Sequence, residues 1–583
     1  MRFRQLVEYF AQIEQTSSRN RMVELLAELF TAAEPDEIDK IIYLIQGRLG
    51  PAYEVLEFGV GTALTAAALA AATGKDPAEI RRMYGRLGDY GRVAYDLLPE
   101  EGQGLTVAEV YERLSAVAHA GGEGAVARKQ GLLTDLLRAV SNLEAKYLVR
   151  IPLGQLRLGV GDPTIMEALS WAKTGSKAER KVIERAYNIC SDLGFVARLY
   201  WEGGPEKLAA LKVTPGKPVR PALAERLPSA QAIIAKLGRV AVEPKLDGFR
   251  LQVHKIDGNV LLFSRNLENL TGMFPEVVRG TLEQVQAESA IFEGEAIGYD
   301  PATGEFLPFQ ITTTRRRKYD IEAAAEKTPL RLICFDLLAV DGEDYTPRPY
   351  LERRERLCQL IRPDDAIDVA ECRLVDNPAD LEAFFNEMIS RGLEGIVAKR
   401  PDAPYQAGAR NFNWIKLKRS YQGELTDTVD CVIVGYWYGR GQRARFGIGA
   451  VLTAVYDKDR DVFVTVTKLG TGFSEEEWVK LREKLDAIAT PVRPARVESI
   501  LEPDVWCEPV YVVEVQADEI TRSPSHTCGR TAEDPLGYAL RFPRAVDFLR
   551  EDRSPEDATT VAEIIEMYAQ QRRKPVEPEP AEV

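Results

Sequence analysis

The residues best equipped for chemistry in this chain lie in one string, Glu243-Pro-Lys245-Leu-Asp247-Gly248-Phe-Arg250. A lysine becomes a nucleophile only by shedding its proton, which at neutral pH takes a partly buried site or cationic neighbours. Lys245 stands beside an apolar run, and Gly248 permits close approach of a phosphate or another backbone. Asp247 works the other way: a neighbouring carboxylate raises an ammonium's pKa, so activation must come from other cations or from a metal. Taken alone, the string is equally well explained as a solvated strand end with a Lys–Asp pair, because short motifs arise easily.

The elements that must position these residues differ along the chain. Residues 1–205 read as helical, with Met22, Leu25, Leu26, Leu29 and Phe30 spaced for one helix face and Leu132, Leu133, Leu136 and Leu137 repeating the pattern. Thr16, Ser17 and Ser18 precede the first of these faces as cap residues, and Gly121, Gly122 and Gly124 break the helices with a loop. Thr214-Pro-Gly-Lys-Pro-Val-Arg-Pro221 reads as a linker or crossing segment. Beyond it come short β-branched and aromatic runs, Val240–Val253, Ile291–Tyr299, Leu330–Leu338 and Gly395–Lys399, with helix between them. After a polar break at Ser420–Thr428, the runs Val429–Trp437, Ala450–Tyr456, Val462–Thr467 and Val510–Val515 with little helix predict a small barrel or sandwich.

Composition narrows the class. The 583 residues predict two to four domains. A net charge of −14 argues against simple coating of nucleic acid or an anionic membrane. The charge is uneven, with a net of −2 over residues 1–200 and −12 over 201–583. Seven scattered cysteines without a CxxC pair disfavour a zinc site or disulfide framework and predict reduced thiols in a cytosolic protein. The start has no apolar signal region, and the alanine-rich stretch 62–73 is shorter than the ~20 residues of a bilayer span, so neither secretion nor a membrane association is expected. No GxxxxGK[ST] loop occurs, which disfavours a P-loop mechanism.

Five further strings follow the first in order: Phe263-Ser-Arg265-Asn266, Phe292-Glu293-Gly294-Glu295, Cys334-Phe335-Asp336, Glu394-Gly395-Ile-Val-Ala-Lys399 and Asn413-Trp414-Ile-Lys416-Leu-Lys418. Together the six resemble motifs I, Ia, III, IIIa, IV and V of the covalent nucleotidyltransferases, which comprise DNA ligases, RNA ligases and mRNA capping enzymes. Other segments resemble the ATP-dependent DNA ligases of archaeal and eukaryotic type. Pro218-Val-Arg-Pro221-Ala-Leu-Ala224 is similar to their P-x-x-P-M-L-A element, with Ala222 in place of Met. Phe309-Gln310 with Thr314-Arg315-Arg316-Arg317 is similar to a basic segment of theirs, and Thr467-Lys468-Leu-Gly470-Thr-Gly472-Phe473 to a C-terminal-domain motif. Leu156-Arg157-Leu-Gly159-Val-Gly161 resembles part of their helical DNA-binding domain, so the likeness covers residues 5–565.

The resemblance implies an all-α DNA-binding domain at 1–210, an α+β adenylation domain at 211–420, a β-barrel OB-fold domain at 421–573 and a disordered tail at 574–583. It implies a cytoplasmic, monomeric enzyme that seals nicks in duplex DNA with ATP and Mg²⁺ during replication, recombination and repair. Lys245 would form lysyl-AMP; Glu243 would accept from the adenine amino group, and Phe335 would stack on the ring. Arg250 and Glu295 would hold the ribose, Arg265 would meet phosphate near the nick, and Arg410 and Lys416, with Lys418 beside them, would contact the nucleotide phosphates. Glu295 and Glu394 would face Mg²⁺. The family's motif VI usually ends R-x-D-K, whereas this chain reads Arg550-Glu-Asp552-Arg553, and an arginine fork is no simple replacement for an ammonium. That segment, with Arg541 and Arg544, is expected to orient pyrophosphate.

For DNA contact the sequence offers basic patches at Arg315–Lys318, Lys416–Arg419 and Arg440/Arg443/Arg445, the last flanked by Tyr436, Trp437, Tyr438 and Phe446. The Ser420–Thr428 break is the expected hinge. A sliding-clamp partner has no convincing peptide to support it. An RNA ligase or capping-type enzyme shares the Lys245 chemistry, but the helical N-terminal third speaks against it. A non-catalytic DNA-binding scaffold is disfavoured by the intact Lys245, Glu295 and Glu394.

Overall fold

In the computed structural model, the described residues are 1–570 apart from 55, 157, 301–305, 308–311, 313–314, 317–319, 392, 419–427, 440–446, 518 and 542. The chain divides into two compact units, Met1–Lys212 and Val213–Val583. The sequence elements at Phe309–Gln310, Thr314, Arg317–Lys318, Arg419, residues 420–427 of the expected hinge, Arg440, Arg443, Arg445, Phe446, Arg157 and the tail lie outside the described residues.

The first unit is helical from Phe3–Glu14 to Leu193–Ala209. Its helices form where apolar residues recur on one face and capping residues satisfy the free amides. In Arg19–Thr31 the side chains of Met22, Leu25, Leu26, Leu29 and Phe30 are buried, and Ser18 caps the helix by accepting from the Arg21 amide. The alanine-rich stretch forms the helix Thr62–Thr73 and buries Ala66, Ala68, Leu69 and Ala70. No helix among the described residues is long and apolar enough to cross a membrane.

The second unit begins with two sheets. Its strands, in chain order, are β1 (Leu223–Arg226), β2 (Val240–Lys245), β3 (Phe249–Ile256), β4 (Asn259–Ser264), β5 (Ser289–Gly298), β6 (Leu330–Val340), β7 (Glu343–Asp344), β8 (Ile367–Val369), β9 (Arg373–Val375), β10 (Gly395–Lys399) and β11 (Arg410–Lys418). One sheet has the order β1-β11-β10-β2-β9; the other runs β4-β3-β5-β6-β7, with β8 beside β6. The expected single run Val240–Val253 is broken at Leu246–Gly248, where the chain passes from the first sheet to the second. A Cβ on Gly248 would fall closer than 3.0 Å to the Ala296 carbonyl of β5, so the crossing admits only glycine without a shift. The Thr214–Pro221 segment is fastened to β3: the Gly216 amide donates to His254 Nδ1 (3.0 Å) and the Val219 amide to Gln252 Oε1 (2.7 Å).

The C-terminal part is strand-rich. β12 (Thr428–Trp437), β13 (Ala450–Asp457) and β14 (Val462–Leu469) form an antiparallel meander, joined by Val512–Gln516 against β12. The sequence expected little helix here, yet Glu475–Asp486 is one, closed by a Ser474/Glu477 capping box and burying Trp478, Leu481 and Leu485. That box and that spacing were readable signals. Arg315, placed by sequence in a DNA-contacting patch, is instead 1% exposed, paired with Glu276 (2.5 Å) and donating to the Thr328 carbonyl (2.6 Å). Burial with a fixed carboxylate removes it from any DNA surface.

Candidate active site

Strand register sets the site. Across the first sheet Lys245 faces Gly395, and Gly395 faces Lys418; one row along, Glu243 faces Val397 and Val397 faces Lys416. Glu394, just before β10, therefore sits between two lysines. Its carboxylate pairs with Lys245 Nζ and, through the other oxygen, with Lys418 Nζ (2.5 Å). In the second sheet Arg250 faces Glu295 and Gln252 faces Glu293. Arg250 donates to Glu293 (2.8 Å) and to the Ala222 carbonyl (2.7 Å), and Glu295 accepts from the Gly248 amide (3.1 Å).

All nine sequence-predicted residues line one cavity of about 950 Å³: Glu243, Lys245, Arg250, Arg265, Glu295, Phe335, Glu394, Arg410 and Lys416. Lys418, Arg550 and Arg553 line it too. Arg541 and Arg544 lie outside this lining; Arg541 pairs with Glu519 (2.8 Å) and Arg544 reaches Gln516 (3.1 Å).

At one end Phe335 meets Trp414 edge-on, with centroids 6.1 Å apart, and the Arg250 guanidinium lies 5.4 Å from the Phe335 ring. Glu243, expected to offer its carboxylate to a base, already accepts from Tyr350, from Arg354 (3.1 Å) and from Lys399 (2.6 Å). Tyr350 and Arg354 come from the helix Tyr350–Leu360, one turn apart, and no sequence motif pointed to them.

At the other end cations crowd together. Arg226, Lys416, Lys418, Arg410 and Arg553 all line this end. Burial first, then Arg226, Lys418, Arg410 and Arg553, push the Lys416 ammonium well below its ordinary pKa. Acidic residues of the C-terminal part meet several of these cations. Glu563 grips Arg410 with both oxygens (2.5 and 2.6 Å), Asp430 pairs with Arg553 and stands 3.8 Å from Arg226, and Asp557 lies 3.9 Å from Arg265. The expected phosphate-binding Arg410 is thus held by a carboxylate.

Lys245 lies among acids. Burial would lower its pKa, but Glu394, Glu295 and Asp247 outweigh burial and hold the ammonium above its ordinary value. Glu394 is buried as well, yet Lys245 and Lys418 keep its carboxyl far below the usual range. Burial pushes Glu295 up to about 7 despite Lys245 and Arg250. Burial and Glu394 raise Asp247.

Two sheets enclosing a lysine, with an aromatic end and a cationic end, form a site shaped for nucleotidyl transfer. Three family models match the chain. "DNA ligase N terminus" matches residues 2–170, "ATP dependent DNA ligase domain" 221–418 and "ATP dependent DNA ligase C terminal region" 444–553. A probable DNA ligase of Dictyoglomus thermophilum is 55% identical over 577 residues, covering 99% of each chain. The DNA ligase of Pyrobaculum arsenaticum is 46% identical, covering 98% of this chain and 99% of its own. A solved structure of mycobacterial DNA ligase D complexed with ATP and MES matches 58% of this chain and 97% of its own at 25% identity, with a TM-score of 0.32. The chain belongs to the ATP-dependent DNA ligase family, with a helical N-terminal region, a central adenylation domain and a C-terminal β domain.

Proposed function

We propose that Lys245 is the nucleophile of this ligase. Once its ammonium has passed a proton to the paired Glu394 carboxylate, its Nζ attacks the α-phosphorus of ATP, forming a phosphoramidate bond to AMP and expelling pyrophosphate. The AMP then passes to the 5′-phosphate of a nick in duplex DNA, and the nick's 3′-hydroxyl attacks that phosphate, closing the strand and releasing AMP. The observation that carries this is convergence: nine residues spread from 243 to 416 line one cavity, in which Lys245 shares Glu394 with Lys418.

The residues do different parts of the work. Phe335 offers a ring to stack on the adenine, and Glu243 an acceptor for its amino group. Arg250 and Glu295 stand where the ribose follows. Lys416, Lys418, Arg410 and the Arg550–Arg553 segment place positive charge where phosphate charge develops, the main lever in phosphoryl transfer. Arg265 is assigned to the nick phosphate.

Among the described residues no three side chains form a ready-made metal site, so a divalent cation beside Lys245 would draw part of its oxygen shell from the nucleotide phosphates. Glu295 and Asp247 both have raised pKa values, as carboxylates do when desolvated beside like charge, and all-oxygen donors suit a hard ion. Glu295 and Glu394 would hold Mg²⁺, which when bound neutralises carboxylate and phosphate charge. Within the chain alone, Glu394 keeps Lys245 protonated and oriented, so the lysine rests as an ammonium.

We further assign the C-terminal strands to an OB-fold and the helical region to DNA binding, in a monomeric cytoplasmic enzyme. The divisions proposed are 1–210, 211–420 and 421–573, with 574–583 as a tail. Pyrophosphate-treated protein incubated with α-labelled ATP, Mg²⁺ and nicked duplex tests the proposal. Alkali-stable, acid-labile label on the protein is expected, chasing to the nick's 5′-phosphate and lost in Lys245→Met. Label that persists in that variant would contradict it.

A further inference from the structure

Lys399 has no part in the roles described so far, yet its surroundings are the most restricted of any lysine in the cavity. It ends β10, between Ala241 of β2 and Trp414 of β11, and is 1% exposed. Its ammonium pairs with Glu243 Oε2 at 2.6 Å and donates to the Phe335 carbonyl at 3.0 Å. Three rings surround it, with centroids 4.3 Å (Trp414), 4.6 Å (Tyr350) and 4.8 Å (Phe335) from Nζ. An ammonium has three N–H donors. Two are committed to Glu243 and Phe335, and the third faces aromatic surface, a favourable setting for a desolvated cation.

We propose that Lys399 is a positioning residue for the nucleotide base, and that its restraint sets a preference for adenine over guanine. This rests on Glu243 and Phe335 meeting the base as described above. One ammonium ties the acceptor at the base edge to the backbone of the ring at the base face, so edge and face are fixed relative to each other. The other carboxylate oxygen is held independently by Tyr350 and by Arg354, whose second nitrogen donates to the Ala370 carbonyl at 2.6 Å.

The donor pattern then discriminates. Adenine presents an amino donor at its six position, where guanine presents a carbonyl acceptor. A fixed carboxylate accepts from the former and repels the latter. Guanine's natural partner would be an ammonium turned into the cavity, and that turn is what Glu243, the Phe335 carbonyl and the rings prevent. A site built to pair a polar group rejects the analogue that leaves its groups unpaired.

Equilibrium affinities for ATP and GTP, measured by calorimetry on the full chain in EDTA so that no transfer occurs, test this. In Lys399→Met the ATP affinity is expected to fall roughly ten- to hundred-fold, the cost of a mispositioned charged hydrogen bond, while GTP affinity holds or improves. The ATP:GTP ratio therefore falls by at least that factor, and Lys399→Arg restores most of it. A ratio unchanged in Lys399→Met, even with lower thermal stability, would overturn the proposal. Should that variant not fold, Arg354→Met shifts the ratio in the same direction by a smaller factor, and an unshifted ratio there overturns it equally. Because these affinities are read without catalysis, absence of label at Lys245 would count against the proposed nucleophile and not against this role.

Discussion

The two ends of the cavity solve opposite problems with the same residue types. At the base end every charge has a partner inside the adenylation domain. Glu243 is met by Lys399 and Arg354, and behind Phe335 the fully buried Asp336 receives Arg353 in a two-pronged pair (2.7 and 3.0 Å). At the phosphate end positive charge is in excess. Lys416 makes no direct ion pair among the described residues, only longer-range contacts with Glu225 and Glu563, and the partners of Arg410, Arg553 and Arg265 come from the C-terminal part. The base end is preorganised and needs no ligand to be complete. At the other end the cations are met by carboxylates of the C-terminal part, which on the proposed roles stand in until phosphates arrive. A pocket that must recognise one base but pass its phosphates through several chemical states benefits from that division.

Several measurements can break or sharpen this contrast. The largest effect is expected for Lys416→Met, which removes a cation aimed at developing phosphate charge. Self-adenylation measured in single turnover should slow by roughly 10²–10³-fold. A variant of near-normal rate would show that the crowded cations are structural.

Next come stability and its response to anions. Arg353→Met strands a buried carboxylate at the base end and should cost about 3–5 kcal/mol in chemical denaturation. Pyrophosphate should not recover that loss. Glu563→Gln at the phosphate end should be milder, and pyrophosphate should raise its Tm more than it raises the unmutated protein's, since a competing carboxylate has been weakened. Equal pyrophosphate shifts in both would erase the distinction between the ends.

The smallest effect is a proton. Lys416 has a lowered pKa, so an increasing share is neutral as pH rises through that value, and binding a phosphate must return the proton. Pyrophosphate affinity should therefore weaken with rising pH, with proton uptake visible by calorimetry in buffers of different ionisation enthalpy. Lys416→Arg, whose guanidinium stays charged, should abolish the uptake.

Much of the site was legible because each of its strings sits at a strand or strand end, where sequence order and strand register together fix the neighbours. Lys245, Glu394 and Lys418 meet because β2, β10 and β11 pair in that register. What escaped the sequence was carried by partners far along the chain. Arg410 finds Glu563 across 153 residues, and Arg315 finds Glu276 across 39, which turned an apparent DNA-binding arginine into a buried one. Tyr350 and Arg354 carry only helix spacing, which reads as an ordinary exposed face until the acid they hold is in view. The helix Glu475–Asp486 escaped for a different reason: its strand-rich surroundings outweighed a capping signal that was present.

The proposed chemistry centres on Lys245, so the most direct measurement is mass-spectrometric mapping of the protein after ATP and Mg²⁺, before and after pyrophosphate. AMP on the peptide containing Lys245, and on no other lysine, removed by pyrophosphate, is the predicted result. AMP on Lys416 or Lys418, or none on Lys245 in protein that seals nicks, would contradict the account.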